Sequence, residues 1–308
     1  MKITIIGAGN VGATLAQRLI ERDFADVVLL DIIEGLPQGK ALDIQQSAPI
    51  LGFTHRILGT NRYEDTDGSD VVVVTSGIAR KPGMTREELI KINAGIVSDV
   101  VAKTAQHSPD SIIITVANPV DALTYLALKA SGFSRHRVFG LSGVLDSARF
   151  ASFIAQELNV SATEVSCFVL GEHGQNMVVL PRLAKVKGQP LADLVPTTTI
   201  AALSQHTVGG GAEIVSLLKT SSAFYAPSAA ILKMVLAVAQ DKKELMPVAA
   251  YLTGEYGLSD VVIGVPVRLG KNGISEFVEL ELTFDEKEEL AASAEAVRQQ
   301  IASLPDQC

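Results

Sequence analysis

The chain has no tryptophan, only two cysteines in 308 residues, and no long uninterrupted hydrophobic run. Cys167 and Cys308 are too few and too far apart for a metal-ligand cluster, so we expect no metal site and a reducing compartment. The most apolar later stretch, residues 231–239, is interrupted by Lys233 and is far shorter than the roughly 20 residues of a membrane span. The first seven residues have no room for a secretory signal. These absences predict a cytoplasmic protein that makes no membrane contact.

Clusters of basic residues are also missing, and the net charge is -8. Nucleic-acid-binding domains carry basic patches, so we expect no nucleic-acid partner. Hydrophobic residues make up 47% of the chain and charged residues 19%, which is typical of a compact globular protein. A chain of this length is expected to form about two domains.

The first half alternates short β-branched runs with longer helical patterns. Strands are predicted at residues 3–6, 27–30, 71–75 and 112–116, and helices at residues 13–22, 87–105 and 120–131. Strands that alternate with helices predict a parallel sheet with crossover helices. We therefore expect an α/β fold, with a doubly wound Rossmann sheet over residues 1–140.

The second half predicts a mixed α+β domain over residues 141–308. Helices are expected at residues 144–158 and 213–240, the latter broken at Pro227. Residues 261–284 contain two alternating runs joined at Lys271-Asn272-Gly273, a hairpin signal. Thr283 and Glu286 fit a capping box at the start of a final helix.

A glycine-rich motif follows the first predicted strand and opens the first helix. It consists of Gly7, Ala8, Gly9, Asn10, Val11 and Gly12, and Asp31 ends the second strand. A strand, this motif, a helix and an acid about 20 residues on together predict a dinucleotide site, in which the acid binds the adenosine ribose. No arginine adjoins Asp31, so NAD is favoured over NADP. The alternative is that Asp31 only caps a turn.

Two later segments suggest acid–base chemistry. Asp146 and Arg149 are three residues apart on one predicted helix face, and His173 lies between Gly171 and Gly174. Together they supply a base, a carboxylate that orients it and a guanidinium for a substrate carboxylate. Each also has an ordinary explanation: Asp146 and Arg149 can simply pair, and a loop histidine is often incidental.

The segment from Gly77 to Arg86 follows a buried strand and carries Arg80 and Arg86 around a Pro-Gly turn. In an open α/β sheet, ligands bind at the carboxyl ends of the strands, where this segment could hold positive charge over a small anion. A solvated basic turn is the alternative.

The order of these motifs resembles the NAD-dependent lactate/malate dehydrogenase family over essentially the whole chain. The resemblance rests on Gly7 to Gly12, Asp31, Gly77 to Arg86, Val116 to Pro119, Leu145 to Phe150 and Gly171 to Gly174. Within the family, the chain is most similar to the bacterial malate-oxidising branch of lactate-dehydrogenase-like type. The resemblance implies reversible oxidation of malate to oxaloacetate with NAD in the tricarboxylic acid cycle, and a homo-oligomer, either a dimer or a tetramer.

The same resemblance implies roles for individual residues. His173 would be the proton acceptor, Asp146 would orient it, and Arg149 would bind the C1 carboxylate. Arg86 would polarise the reacting oxygen, and Arg80 would bind the C4 carboxylate, for which a monocarboxylate offers no partner.

On the cofactor side, Asn93, Val116 and Ala117 would face the nicotinamide, and Asn118 would contact both substrate and cofactor. Glu172 and Gln175 depart from the malate pattern, since glycine and aspartate are frequent there. Glu172 could act on the charge of His173 or point to solvent. A lactate or other 2-hydroxy-acid dehydrogenase therefore stays open, as does a non-catalytic NAD-binding module.

Overall fold

The computed structural model describes residues 1–78 and 84–305. Arg80, to which the sequence assigns the choice of substrate, lies outside the described residues, as does Cys308. The backbone of Arg86 is described, and the residue begins a helix.

The N-terminal half contains a six-stranded parallel region with helices between the strands. The strands are β1 (Lys2–Ile6), β2 (Asp26–Leu30), β3 (Ile57–Thr60), β4 (Val71–Val74), β5 (Ile112–Thr115) and β6 (Val138–Gly140). The helices are α1 (Asn10–Ile20), α2 (Leu36–Gln46), α3 (Ala48–Leu51), α4 (Arg86–His107) and α5 (Val120–Ser131). Their order across the sheet is β3-β2-β1-β4-β5-β6, and each neighbouring pair is parallel. The doubly wound fold predicted from the sequence is confirmed.

The continuous apolar runs form the centre of this sheet. All four valines of β4 are buried, as are Ile112, Ile113 and Ile114 of β5, because helices cover both faces. Strand order reverses between β1 and β4, and the carboxyl ends of these two strands therefore flank the crevice in which α/β proteins bind ligands.

The C-terminal half mixes helices with mostly antiparallel strands. Its helices are α6 (Gly143–Leu158), α7 (Thr197–Leu218), α8 (Tyr225–Ala239) and α9 (Phe284–Ala302). Its strands are β7 (Val165–Ser166), β8 (Val169–Gly171), β9 (Met177–Val179), β10 (Lys185–Val186), β11 (Gln189–Pro190), β12 (Glu244–Thr253), β13 (Ser259–Gly270) and β14 (Gly273–Phe277). β7, β10 and β11 form a small separate sheet.

The main sheet continues from one half into the other. β12 is antiparallel to β6 through Ala249 and Gly140, and it forms a long hairpin with β13. β13 pairs in turn with β8 through Gly264 and Gly171. The two halves are thus joined by backbone hydrogen bonding and by a shared apolar core.

Two details of the second half differ from the sequence prediction. The helical stretch breaks at residues 219–224, and Pro227 lies in the first turn of α8 instead of at a break. A proline in the first turn costs no hydrogen bond, because its missing N–H would have no intrahelical partner there. β12 was not predicted. It contains Pro247, a residue that is rare in central strands, and the structure pairs Pro247 with Pro266, so both prolines occupy facing positions.

The hairpin at Lys271-Asn272 and the capping box of Thr283 and Glu286 are both present. Among the described residues, no helix has both the length and the hydropathy needed to cross a bilayer.

Candidate active site

The glycine-rich motif forms the turn between β1 and α1. Gly7 has a φ of 111°, in the region that favours glycine, and α1 begins at Asn10 directly after Gly9. Within the described chain, no side chain caps this helix, which leaves its first N–H groups free for an anion.

The three glycines meet different surroundings. A Cβ placed on Gly12 would lie 1.9 Å from the carbonyl oxygen of Gly7, so only glycine allows the helix to pack this closely on the turn. A Cβ on Gly9 would meet no heavy atom of the described chain within 4 Å, which leaves open space above the turn. The geometry fits a pyrophosphate that approaches the backbone at Gly9.

Asp31 lies at the end of β2 and contacts the same turn. Its Oδ2 accepts a hydrogen bond from the Ala8 N–H at 2.6 Å, and its Oδ1 accepts one from the Ile33 N–H at 3.0 Å. Lys40 of α2 donates from Nζ to the Ala8 carbonyl oxygen at 2.6 Å. The motif had not indicated Lys40, because its contact with the turn depends on how α2 packs.

His173, Asp146 and Arg149 form a connected cluster. The Nδ1 of His173 lies 2.7 Å from Asp146 Oδ2, and Arg149 Nη1 donates to Asp146 Oδ1 at 2.9 Å. Asp146 is 1% exposed, so its charge is balanced by the two groups that it contacts. With Nδ1 engaged by the carboxylate, Nε2 is the nitrogen left to exchange a proton with a ligand.

The charge of His173 depends on opposing effects. Burial disfavours the imidazolium, but attraction to Asp146, the hydrogen bond with it and a smaller attraction to Asp121 together raise the pKa of His173 above its ordinary value. Arg149 acts in the opposite direction. Asp146 therefore favours the imidazolium that proton uptake by His173 creates, although the ring is buried.

Arg149 has spare hydrogen-bonding capacity in this cluster. Its Nε is buried and has no hydrogen-bond partner within the described part of the chain. The backbone of α7 approaches closely, since a Cβ on Gly211 would lie 3.5 Å from Arg149 Nη2. A guanidinium with an unsatisfied N–H beside a cleft fits a carboxylate ligand.

The loop that carries His173 is held at several points. Gly171 has a φ of 81°, and Glu172, which is 7% exposed, donates its N–H to Ser293 Oγ at 2.7 Å. The carboxylate of Glu172 accepts hydrogen bonds from Asn176 and Gln300, at 2.5 Å each. Glu172 thus points into the protein and not to solvent, and it ties the histidine loop to α9.

The dinucleotide turn and the acid–base cluster open onto one cleft of about 840 Å³. Its lining includes Gly9 to Gly12, the segment Val116, Ala117 and Asn118 after β5, and Arg149, His173 and Gln175. The tertiary structure therefore brings together motifs that are more than 160 positions apart in sequence.

Asn93 does not line the cleft, unlike Val116, Ala117 and Asn118. It is fully buried, accepts from the Ile78 N–H at 2.8 Å and donates to the Asn118 carbonyl oxygen at 2.8 Å. Its amide therefore joins the start of the Gly77–Arg86 segment to Asn118, which lines the cleft.

A dinucleotide site and an acid–base cluster that share a cleft define the class of nicotinamide-dependent oxidoreductases. Two family models match the chain: "lactate/malate dehydrogenase, NAD binding domain" over residues 1–140 and "lactate/malate dehydrogenase, alpha/beta C-terminal domain" over residues 143–306. The chain belongs to the lactate/malate dehydrogenase family, and its cofactor is NAD.

Individual relatives match over nearly their full length. A malate dehydrogenase of Dehalococcoides mccartyi is 58% identical over 303 residues, covering 98% of this chain and 99% of the relative. The structure of the malate dehydrogenase from Aeropyrum pernix has a TM-score of 0.96 and 45% identity, covering 99% of each chain. A lactate dehydrogenase of Cryptosporidium parvum, complexed with lactic acid and NAD, has a TM-score of 0.95 and 39% identity, covering 98% of this chain and 96% of that one. The fold is thus shared by both activities and does not by itself select the substrate.

Proposed function

We propose that the chain is an NAD-dependent malate dehydrogenase that interconverts (S)-malate and oxaloacetate, with His173 as the proton acceptor. The observation that carries the proposal is the Asp146–His173–Arg149 cluster on the wall of the cleft that also contains the dinucleotide turn. The full-length similarity to malate dehydrogenases supports the substrate.

Each residue of the cluster, together with Asn118, has a distinct role in the proposed reaction. Arg149 binds the C1 carboxylate through N–H groups that Asp146 does not use, and Asn118 contacts the substrate from the end of β5. His173 takes the hydroxyl proton on Nε2, and the charge of Asp146 stabilises the imidazolium that forms. NAD, when bound, accepts the hydride from C2 of the substrate.

Two further arginines are assigned from the sequence and the family resemblance. Arg86 polarises the reacting oxygen, and Arg80 binds the C4 carboxylate. Three arginines match two substrate carboxylates and the reacting oxygen, whereas a monocarboxylate would leave one guanidinium without a partner, at a cost of several kcal/mol.

The cofactor contacts in this proposal lie on the glycine turn, at Asp31 and in the segment after β5, together with Asn93, which is buried and donates to the Asn118 carbonyl oxygen. They are Gly7, Ala8, Gly9, Asn10, Val11, Gly12, Asp31, Asn93, Val116, Ala117 and Asn118. Residues 1–140 form the NAD-binding domain and residues 141–308 the substrate and catalytic domain. We place the enzyme in the cytoplasm, in the tricarboxylic acid cycle, as a homo-oligomer.

A lactate dehydrogenase is the second candidate, supported by Glu172 and by the similarity to the Cryptosporidium enzyme. NADH oxidation measured side by side with oxaloacetate and pyruvate separates the two, with NADPH as a control for the cofactor. Faster turnover of pyruvate than of oxaloacetate would reverse the assignment.

The role of His173 is tested by His173→Asn, which cannot accept the proton. We expect turnover to be lost while NADH binding, followed by NADH fluorescence, is retained. Substantial residual turnover would point to another base, and retained NADH binding without any turnover in the unmodified protein would favour a non-catalytic module.

A further inference from the structure

Asp121 is a second carboxylate behind the imidazole of His173. It lies in the first turn of α5 and is 1% exposed. Its Oδ2 accepts a hydrogen bond from the backbone N–H of His173 at 2.8 Å, whereas its Oδ1 has no partner among the described residues.

A buried carboxylate costs more free energy than an uncharged acceptor as the hydrogen-bond partner of a backbone N–H. Burial penalises the charged form, and one hydrogen bond satisfies only part of the capacity of the two oxygens. The neighbouring N–H, that of Glu172, is held at 2.7 Å by the uncharged hydroxyl of Ser293. Anchoring alone does not require a charge at this position, so the charge of Asp121 needs another explanation.

We propose that Asp121 is a positioning residue for His173, which it serves by holding the main chain of the histidine and by placing a second negative charge behind the imidazole during proton transfer. This inference rests on the proposed role of His173 as proton acceptor. Asp146 contacts the imidazole ring itself, whereas Asp121 contacts the backbone N–H of the same histidine.

The electrostatic surroundings support this role. Burial raises the pKa of Asp121 to about 7, against the hydrogen bond from His173 and the attraction of its ring, and the charges of Glu172 and Asp146 raise it further. Asp121 is in turn one of the groups that raise the pKa of His173, while Arg149 lowers it. The two groups are therefore coupled, and a proton on His173 favours the ionised form of Asp121.

The test is Asp121→Asn, which keeps an oxygen for the His173 N–H and removes the charge. Loss of a nearby negative charge lowers the pKa of His173. Malate oxidation needs the neutral imidazole and rises with pH through this pKa, whereas oxaloacetate reduction needs the imidazolium and falls. We expect the midpoints of both kcat/KM profiles to move to lower pH by about one unit.

Ser293→Ala is the matched control, because it removes the uncharged anchor of the adjacent N–H. We expect its pH midpoints to equal those of the unmodified protein. Unchanged midpoints in Asp121→Asn, or the same shift in Ser293→Ala, would overturn the proposal, since the effect would then be absent or due to loop position alone.

A second variant and a second measurement keep the proposal testable if Asp121→Asn does not fold. Asp121→Asn places an amide where Oδ1 is buried without a hydrogen-bond partner among the described residues, so if this variant does not fold, Asp121→Ser is measured against the same criterion. The chain has five histidines, and the NMR signal of His173 is identified by its loss in His173→Asn. Its titration reports the pKa without turnover, so an unmoved titration contradicts the role of Asp121, whereas full activity of His173→Asn contradicts the proposed function.

Discussion

Arg80 and Lys81 are adjacent cations in the segment between β4 and α4, and only Arg80 is assigned to the substrate. We expect Arg80→Gln to lower kcat/KM for oxaloacetate by about 100- to 1,000-fold, because the C4 carboxylate would bind without its charged partner. Pyruvate turnover should improve relative to oxaloacetate. Lys81→Gln removes a charge from the same segment and should leave the preference nearly unchanged; equal effects of the two substitutions would contradict the assignment.

Gly9 and Gly12 lie in the same turn, but a substitution of Gly9 tests cofactor binding and a substitution of Gly12 tests folding. Gly9→Ala should fold with unchanged stability, because its Cβ meets open space, but should weaken NADH binding at least about tenfold, equivalent to 1.4 kcal/mol, if the pyrophosphate approaches there. Gly12→Ala should destabilise the protein by about 3 kcal/mol, since its Cβ would overlap the Gly7 carbonyl oxygen.

Urea unfolding and NADH titration of both glycine variants check this pair of expectations. Tight NADH binding by a stable Gly9→Ala protein would argue against backbone approach at that position.

At the scale of elements, α4 begins at the end of the Gly77–Arg86 segment and connects that segment to the core. Thr85 caps this helix in a capping box with Glu88, and Arg86 is its first residue. Thr85→Ala should lower the free energy of unfolding by about 1 kcal/mol and raise KM for oxaloacetate, because the helix start that carries Arg86 would fray.

Thr283→Ala is the matched control, since it breaks the same kind of capping box at the start of α9. A similar loss of stability is expected there, with KM for oxaloacetate unchanged. The interpretation fails if both variants change KM alike.

At the scale of the whole molecule, the two halves share one main sheet and one hydrophobic core. The main sheet crosses from β6 to β12, and Arg18 Nε of α1 donates to Ser228 Oγ of α8 at 3.1 Å. One core cluster contains buried residues from β1 and β4 together with others from α8, β12 and α9. A cleft built between such halves keeps its geometry without depending on a flexible linker.

This continuity predicts a single cooperative unfolding transition. Far-UV circular dichroism and tyrosine fluorescence, from five tyrosines without interference from tryptophan, should give the same midpoint in urea. Adding NADH should raise both midpoints together, because the ligand binds only the folded state. Two separated transitions would show that the halves unfold independently.

The sequence by itself determined those features that depend on local order along the chain. The alternation of strands and helices, the glycine turn with Asp31, the hairpin at Asn272 and the cap at Thr283 each follow from the backbone preferences and periodicity of a few neighbouring residues. The same local patterns, taken in order, gave the family.

Tertiary structure alone decided which distant groups meet. The pairing of β12 with β6 around Pro247, the contact of Lys40 with Ala8, and the burial of Glu172 and Asp121 beside His173 join residues up to about 130 positions apart. No periodicity or motif encodes these contacts, because the hydrogen-bond partner of a buried polar group is set by how elements pack and not by its sequence neighbours.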